Sequence, residues 1–334
     1  MANRGQTETG AGAGLDAQRL AIERLDWVDV ARGIGIVAVV VGHVWTRGGL
    51  CDAMYSFHMP LFFLLSGLLS RPQPVGRFTR RQLGGQMRPY AAWLALLILA
   101  DQIIEPLKGG RPIFHVWPDD MLPILLGGYW LRGPYTIFWF VPCLMLARIA
   151  FNAVLVRWPD PLDRRWRLLV PPVLALAYGA GVLTPASPLG LVAVPMAFVL
   201  LWVGAAWARL RWRWAMGVPL AILSLVGLAG WLPTLNMKVG DNGWPLLSIA
   251  AAVATSLLVM RLSARLDAAK GARLVAPLAA LGRASLVIMY LHVATIHYLS
   301  PYLGKPWLLV IALALPFAID RLIRRSPRAT RWLL

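Results

Sequence analysis

Arg32 and His43 stand eleven residues apart in a segment, Val28 to Trp45, that is apolar apart from Asp29 and long enough to cross a membrane. Eleven helical steps of about 100° return to within roughly 20° of the starting direction, so both side chains share one face. At about 1.5 Å per residue the imidazole lies roughly 16 Å further along than the guanidinium. Ionisable groups inside a spanning helix are costly and usually functional. The chemistry this pair suits is a cation that holds an anionic group at the membrane surface and a base that removes a proton well inside. Asp29, three residues before Arg32, is placed for an ion pair on the same helix. Gly35 and Gly42 flank the base and let another helix or a ligand come close.

Further residues converge on the same picture. The run Tyr55-Ser-Phe-His58-Met-Pro-Leu-Phe-Phe opens the next apolar segment, and a chain that returns there brings His58 to the level of His43. Two imidazoles at one depth suggest a general base with an orienting or relay partner. A metal site is the alternative, with Asp52, His292 or His297 as further ligands; a metal-free site is expected. Ser66-Gly67 lies deeper, Arg88-Pro89-Tyr90 starts the third segment, and Trp139-Phe140 opens the fourth. Arg88 could add a second cation beside Arg32, and Trp139 could shape a cavity wall. In the ninth segment Ser285 and His292 are seven apart, close to one helix face, with Tyr290 between them.

The elements that must position these groups are membrane helices. The 334 residues are 58% hydrophobic and 14% charged, which excludes an ordinary soluble domain. Ten spans are predicted, at 28–46, 55–70, 86–104, 137–156, 168–184, 190–208, 214–232, 244–262, 282–300 and 306–323. With both termini cytoplasmic, 27 of the 33 Lys and Arg fall on the cytoplasmic side, while Arg47, Lys108, Arg111, Arg132, Lys238 and Lys305 fall outside. That asymmetry is the positive-inside rule, so the net charge of +18 reflects topology and anionic lipid contact, not nucleic acid. Residues 1–25 read as a disordered cytoplasmic tail without a signal peptide, 26–325 as one membrane domain, and 326–334 as a basic cytoplasmic tail. The loop Glu105 to Thr136 is the longest outside, and its apolar run Met121 to Leu131 is too short to span. Cys51 and Cys143 read as unpaired small apolar residues.

These motifs, in this order, resemble the integral membrane acyltransferase family 3, and within it the fucose 4-O-acetylase-like branch. The matching text is Leu25-Asp-Trp-Val-Asp-Val-Ala-Arg-Gly with Gly42-His43, then Ser56-Phe-His-Met-Pro-Leu-Phe-Phe with Ser66-Gly67. Arg88-Pro89-Tyr90, Trp139-Phe140 and Leu281-Gly282 with Ser285, Tyr290 and His292 follow. The resemblance implies a ten-helix membrane domain that moves an acyl group, usually acetyl from acetyl-CoA, to a sugar hydroxyl. It maps the family's Arg-then-His motif onto Arg32 and His43 and its second-helix histidine onto His58. Arg283-Ala284 departs from the polar pair common there, and no fused esterase-like domain is evident, so a separate polysaccharide-assembly partner is one expectation.

Residues and resemblance together predict a multi-pass O-acyltransferase of the bacterial inner membrane. Acyl-CoA is expected at Arg32 and Arg88, with His43 as base, His58 as its partner, and Asp29, Ser66, Trp139, Ser285, Tyr290 and His292 in support. Direct transfer and an acyl-histidine intermediate both stay open. Export of a small acid or glycan precursor through the same polar cavity is the competing function, and a non-catalytic assembly subunit is a third. The acceptor could be lipopolysaccharide, exopolysaccharide, a lipid-linked oligosaccharide or another glycoside.

Overall fold

A computed structural model describes residues 8–184, 186–269 and 273–334, with side chains from Asp26 onward. The first seven residues of the expected tail therefore lie outside the described residues, and the rest of it enters only as backbone. All regular structure among the described residues is helical: α1 (Glu8–Val44), α2 (Gly49–Tyr55), α3 (His58–Leu68), α4 (Val75–Gln82) and α5 (Arg88–Leu107) come first. After α6 (Met121–Leu126) follow α7 (Phe140–Arg157), α8 (Arg164–Leu183), α9 (Val194–Trp207) and α10 (Gly217–Leu228). The chain closes with α11 (Leu247–Ala268), α12 (Val275–Arg283), α13 (Ser285–Leu299), α14 (Lys305–Ile323) and α15 (Pro327–Leu333).

Seven of these helical stretches are long and apolar enough to cross a membrane, eight if α12 and α13 are one broken span. The protein is a polytopic helical membrane protein, with fewer full-length spans than the ten expected. The second segment differs because Ser56 and Phe57 interrupt it: Phe57 leaves helical geometry (φ −142°), and Pro72 and Pro74 stop the chain soon after Leu68. What remains, α3, has 11 residues, about half of what the hydrocarbon thickness requires, and most of it is buried. The seventh, Trp214–Leu228, is also short. Conversely the third runs longer than expected, 33 residues from Val75 to Leu107, through a wide turn at Leu83–Met87. Pro89 has no N–H to return to the Gly85 carbonyl, and the helix widens there.

α1 is the central helix, packed against α2, α3, α11, α12, α13 and α14. Glycines set its closest crossing. A Cβ on Gly33 would overlap the Leu278 carbonyl of α12, and one on Gly282 would overlap the Asp29 carbonyl of α1. The same device joins α3 to α9, where Gly67 meets the Leu201 carbonyl and Gly204 meets the Leu64 carbonyl. In a membrane, where no water drives helices together, such backbone-close contact supplies much of the association. Against α1 the chain breaks at Ala284, and α13 leaves α12 at 81°. Arg324, which caps α14, clamps this elbow: its Nε donates to Asp320 Oδ2 (2.7 Å) and its Nη2 to the Arg283 carbonyl (3.1 Å).

Two connections fold inward. The long loop after α5 is anchored by Asp101, fully buried, which accepts from Ile113 N (2.8 Å) and Tyr298 Oη (2.8 Å). It leaves Met121, Leu122 and Leu125 of α6 exposed, an arrangement suited to the membrane interface. The loop after α10 buries Leu235, Met237 and Asn242, whose Nδ2 donates to the Ala177 carbonyl (3.3 Å). At the other end residues 326–334 form a docked helix, α15, held to α5 by Trp93 Nε1 donating to the Leu333 carbonyl (3.1 Å).

Candidate active site

Three imidazoles share one hydrogen-bond habit. His43 Nδ1 lies 2.8 Å from the Val39 carbonyl, His58 Nδ1 2.6 Å from that of Met54, and His292 Nδ1 2.8 Å from that of Ile288. A carbonyl oxygen only accepts, so each neutral ring carries its hydrogen on Nδ1 and presents Nε2 as a bare lone pair. The rings form a chain: His292 meets His43 edge-on (centroids 4.9 Å, 81°), Tyr55 lies 5.9 Å from His43, and His58 meets Tyr55 edge-on at 4.9 Å. Tyr55 reaches this position because Gly42 has no side chain; a Cβ there would stand 3.0 Å from its ring.

His43, Tyr55 and His58 line a cavity of about 390 Å³, closed by Tyr129, Thr136 and Trp139 from the inward-folded loop and by Leu235 to Val239 from the second one. Its volume is at the low end for small-molecule sites, which run from about 300 to 1,000 Å³. Lys238 is part of this wall. Its Nζ donates to the Leu131 carbonyl and to Thr136 Oγ1, both at 2.8 Å. Burial pulls this ammonium down from its ordinary value to about 8.

A second cavity, about 180 Å³, lies toward the other end of α1, where Arg32 and Ile36 face Phe62, Leu65 and Ser66 of α3, Phe140 and Arg148 of α7, and Ser285 and Met289 of α13. Three regions thus line both cavities in sequence: Ile36 then His43, Ser66 then His58, and Phe140 then Trp139; α13 lines only the second, through Ser285 and Met289, and meets the first only through the contact of His292 with His43. Arg32 Nη1 donates to Asp29 Oδ1 (3.1 Å), and Arg283 approaches the other oxygen at 3.8 Å. Among the described residues Arg148 has no carboxylate within ion-pair distance; it lies over the Phe78 ring (5.8 Å), and its Nε is buried without a hydrogen bond. Two guanidiniums against one small cavity, with one carboxylate between them, leave net positive charge for an anion.

The expected residues divide accordingly. His43, His58 and Trp139 meet at one cavity; Arg32, Ser66 and Ser285 meet at the other, with Asp29 holding Arg32. His292 is fully buried behind His43, its Nε2 unpartnered. Tyr290 lies outside both cavities, packed on Phe138 (5.0 Å) and Trp93 (6.2 Å). Arg88 is exposed at the start of α5, and the guanidinium that shares a cavity with Arg32 belongs to Arg148. In the sequence Lys238 and Arg148 count only toward the charge asymmetry. Among the described residues no group of three His, Cys, Asp or Glu is placed to hold a metal ion, and Cys51 and Cys143 are both free.

No curated protein shows significant similarity to the chain. A family model does: the acyltransferase domain of acyltransferase family 3 matches residues 25–319, which include both cavities and every helix from the spanning part of α1 into α14. That match favours acyl transfer over transport through the same polar space. A central helix carrying arginine and histidine cavities in series, within a chain matched over most of its length, makes this protein a member of the integral membrane acyltransferase family 3.

Proposed function

We propose that the protein transfers an acetyl group from acetyl-CoA to a hydroxyl of a cell-surface or lipid-linked carbohydrate, in the bacterial inner membrane with both termini cytoplasmic. One observation carries this reading: the cationic cavity and the imidazole cavity follow one another along α1, spaced by the roughly 16 Å that separates Arg32 from His43 on a helix. An extended pantetheine arm covers such a distance. The phosphates of the donor rest at Arg32 and Arg148, and its thioester reaches His43.

The acceptor hydroxyl then gives its proton to His43 Nε2 as its oxygen bonds the thioester carbonyl carbon. The C–S bond breaks, and the CoA thiolate recovers the proton from the imidazolium. Acetyl-CoA and an alcohol become an ester and free CoA, with no other reactant. The bond from His43 Nδ1 to Val39 fixes the tautomer this needs. His58 supplies a second Nε2 at the same cavity, and His292, edge-on to His43, holds that ring's orientation. The aromatic wall of Tyr55, Tyr129 and Trp139 suits the C–H faces of a pyranose. A partner of a polysaccharide-assembly pathway would deliver the acceptor.

The test is turnover of labelled acetyl-CoA by the purified protein in nanodiscs with a glycan pool. Wild type should place label on glycan, and His43→Ala should lower this by about 10²–10⁴-fold, the worth of a positioned general base. Full transfer by the variant would remove His43 from the reaction.

A further inference from the structure

Lys238 ties the loop after α10 to the loop before α7, but through neutral acceptors that do not require a cation. An ammonium has three N–H donors, and two are satisfied by Leu131 and Thr136. Among the described residues no carboxylate lies within ion-pair distance of it. The other polar side chains at the cavity are imidazoles, hydroxyls and the Asn236 amide, so nothing there carries negative charge. Lys238 is half-buried, and partly withdrawing a cation from water without a counter-ion costs free energy that two neutral acceptors recover only in part. An apolar or neutral polar residue would fill this wall without that penalty. The cation is retained in the same cavity as His43 and His58, and its remaining donor is available to whatever enters.

We propose that the carbohydrate acceptor is acidic, and that Lys238 pairs with a carboxylate or phosphate oxygen of the sugar while a hydroxyl of the same molecule meets His43 Nε2. The inference rests on the acyltransfer reading for the hydroxyl, but the anion site stands on Lys238 alone. One cation and one base on a cavity of about 390 Å³ define two points of a single sugar residue, which fixes which hydroxyl is presented. A neutral sugar would leave the ammonium without a counter-ion, so discrimination comes from an unpaired charge as well as from a gained contact.

The experiment has a binding arm and a transfer arm, on the full-length protein in nanodiscs. Binding of a hexuronate glycoside, a hexose 1-phosphate and the neutral methyl hexoside is measured by equilibrium dialysis, without acetyl-CoA. At least one anionic sugar should bind tenfold or more tighter than the neutral one. Lys238→Met should cut that advantage tenfold or more, and Lys238→Arg should restore most of it. Retained acetyl-CoA binding by both variants reports an intact fold. Whichever of uronate or phosphate gains names the anion. In the transfer arm the loss in kcat/KM on Lys238→Met should be at least tenfold larger for the anionic acceptor, carried by KM. Equal binding of anionic and neutral sugars by wild type, or equal losses for both acceptors in the variant, would overturn the proposal, the second showing that Lys238 serves the reaction's own charge. Anion-selective binding without transfer to any acceptor would uphold the anion site and sink the acyltransferase chemistry. Efficient transfer to the neutral sugar alone would do the reverse.

Discussion

At the scale of single residues, the arginine cavity pairs Arg32 with Arg148, where the sequence pairs it with Arg88. Arg32 and Arg148 line it, whereas Arg88 is exposed at the head of α5. A phosphate-holding guanidinium is worth roughly 1.5–3 kcal/mol as a charged hydrogen-bond donor, about 10- to 100-fold in the KM for acyl-CoA. Arg32→Ala and Arg148→Ala should each show that rise with kcat less affected, and Arg88→Ala should change KM less than threefold. Initial rates against acetyl-CoA concentration decide it; a large effect at Arg88 alone would return the donor to the head of α5. Lys238 gives a pH signature. A lysine whose value is lowered to about 8 is charged below that pH and neutral above it. Selectivity for an anionic over a neutral acceptor is therefore expected below pH 8 and lost as pH rises through it. Tyr129 faces Lys238 from the 128–130 turn and Asp241 follows on its own loop, with His43, Tyr55 and His58 across the cavity. Those groups serve both acceptors, so the ratio of the two kcat/KM values isolates the lysine. A ratio flat from pH 7 to 9.5 would exclude it.

At the scale of elements, much of the site was legible because helix periodicity acts locally. The eleven-residue step from Arg32 to His43 and the seven-residue step from Ser285 to His292 need only a helix to be read. What escaped depends on contacts between distant segments. Lys238 enters the cavity because its loop tucks Leu235 and Met237 into the bundle, and no pattern in that loop records where it docks. The elbow at Ala284 follows from glycine contact with α1 and the Arg324 clamp; the span expected at 282–300 coincides with α13 and leaves α12 out. The shortness of α3 was partly visible in the prolines after it. Its seating was not, since that rests on paired glycines far apart in sequence. These crossings carry the second histidine, so they are testable as function. Gly204→Ala would push a methyl into the Leu64 carbonyl, while Gly179→Ala on α8 meets open space. The first should cost about 1–3 kcal/mol, as overpacking does, lower the unfolding midpoint in detergent, and reduce transfer by displacing α3. The second should be neutral or stabilising by up to about 1 kcal/mol, since alanine favours helix over glycine. Equal midpoints for the two variants would show that the α3–α9 crossing yields.

At the scale of the whole molecule, the direction of the reaction follows from orientation. The expected topology, with both termini cytoplasmic, puts 27 of the 33 Lys and Arg on the side where Arg32 begins, and the donor we propose, acyl-CoA, is cytoplasmic. On that proposal the arginine cavity faces the cytoplasm, where the donor reaches it, and the histidine cavity and its acceptor lie toward the opposite surface. The two native cysteines can report this without added probes. Cys51 lies on α2, beside the histidine end of α1 and partly accessible, its Sγ 3.8 Å from the Gly42 carbonyl; Cys143 is buried in α7. Partial burial and the neighbouring Asp52 raise the Cys51 thiol above its ordinary value, so labelling calls for a mildly alkaline medium. A membrane-impermeant maleimide should then modify wild type in spheroplasts and fail on Cys51→Ser, with Cys143 reacting only after denaturation. Inside-out vesicles should give little labelling. If instead Cys51 reacts only from the cytoplasmic side, the arginine cavity opens away from the acyl-CoA pool. The donor would then have to enter at the histidine end, and the series of cavities along α1 would no longer describe a path from donor to acceptor.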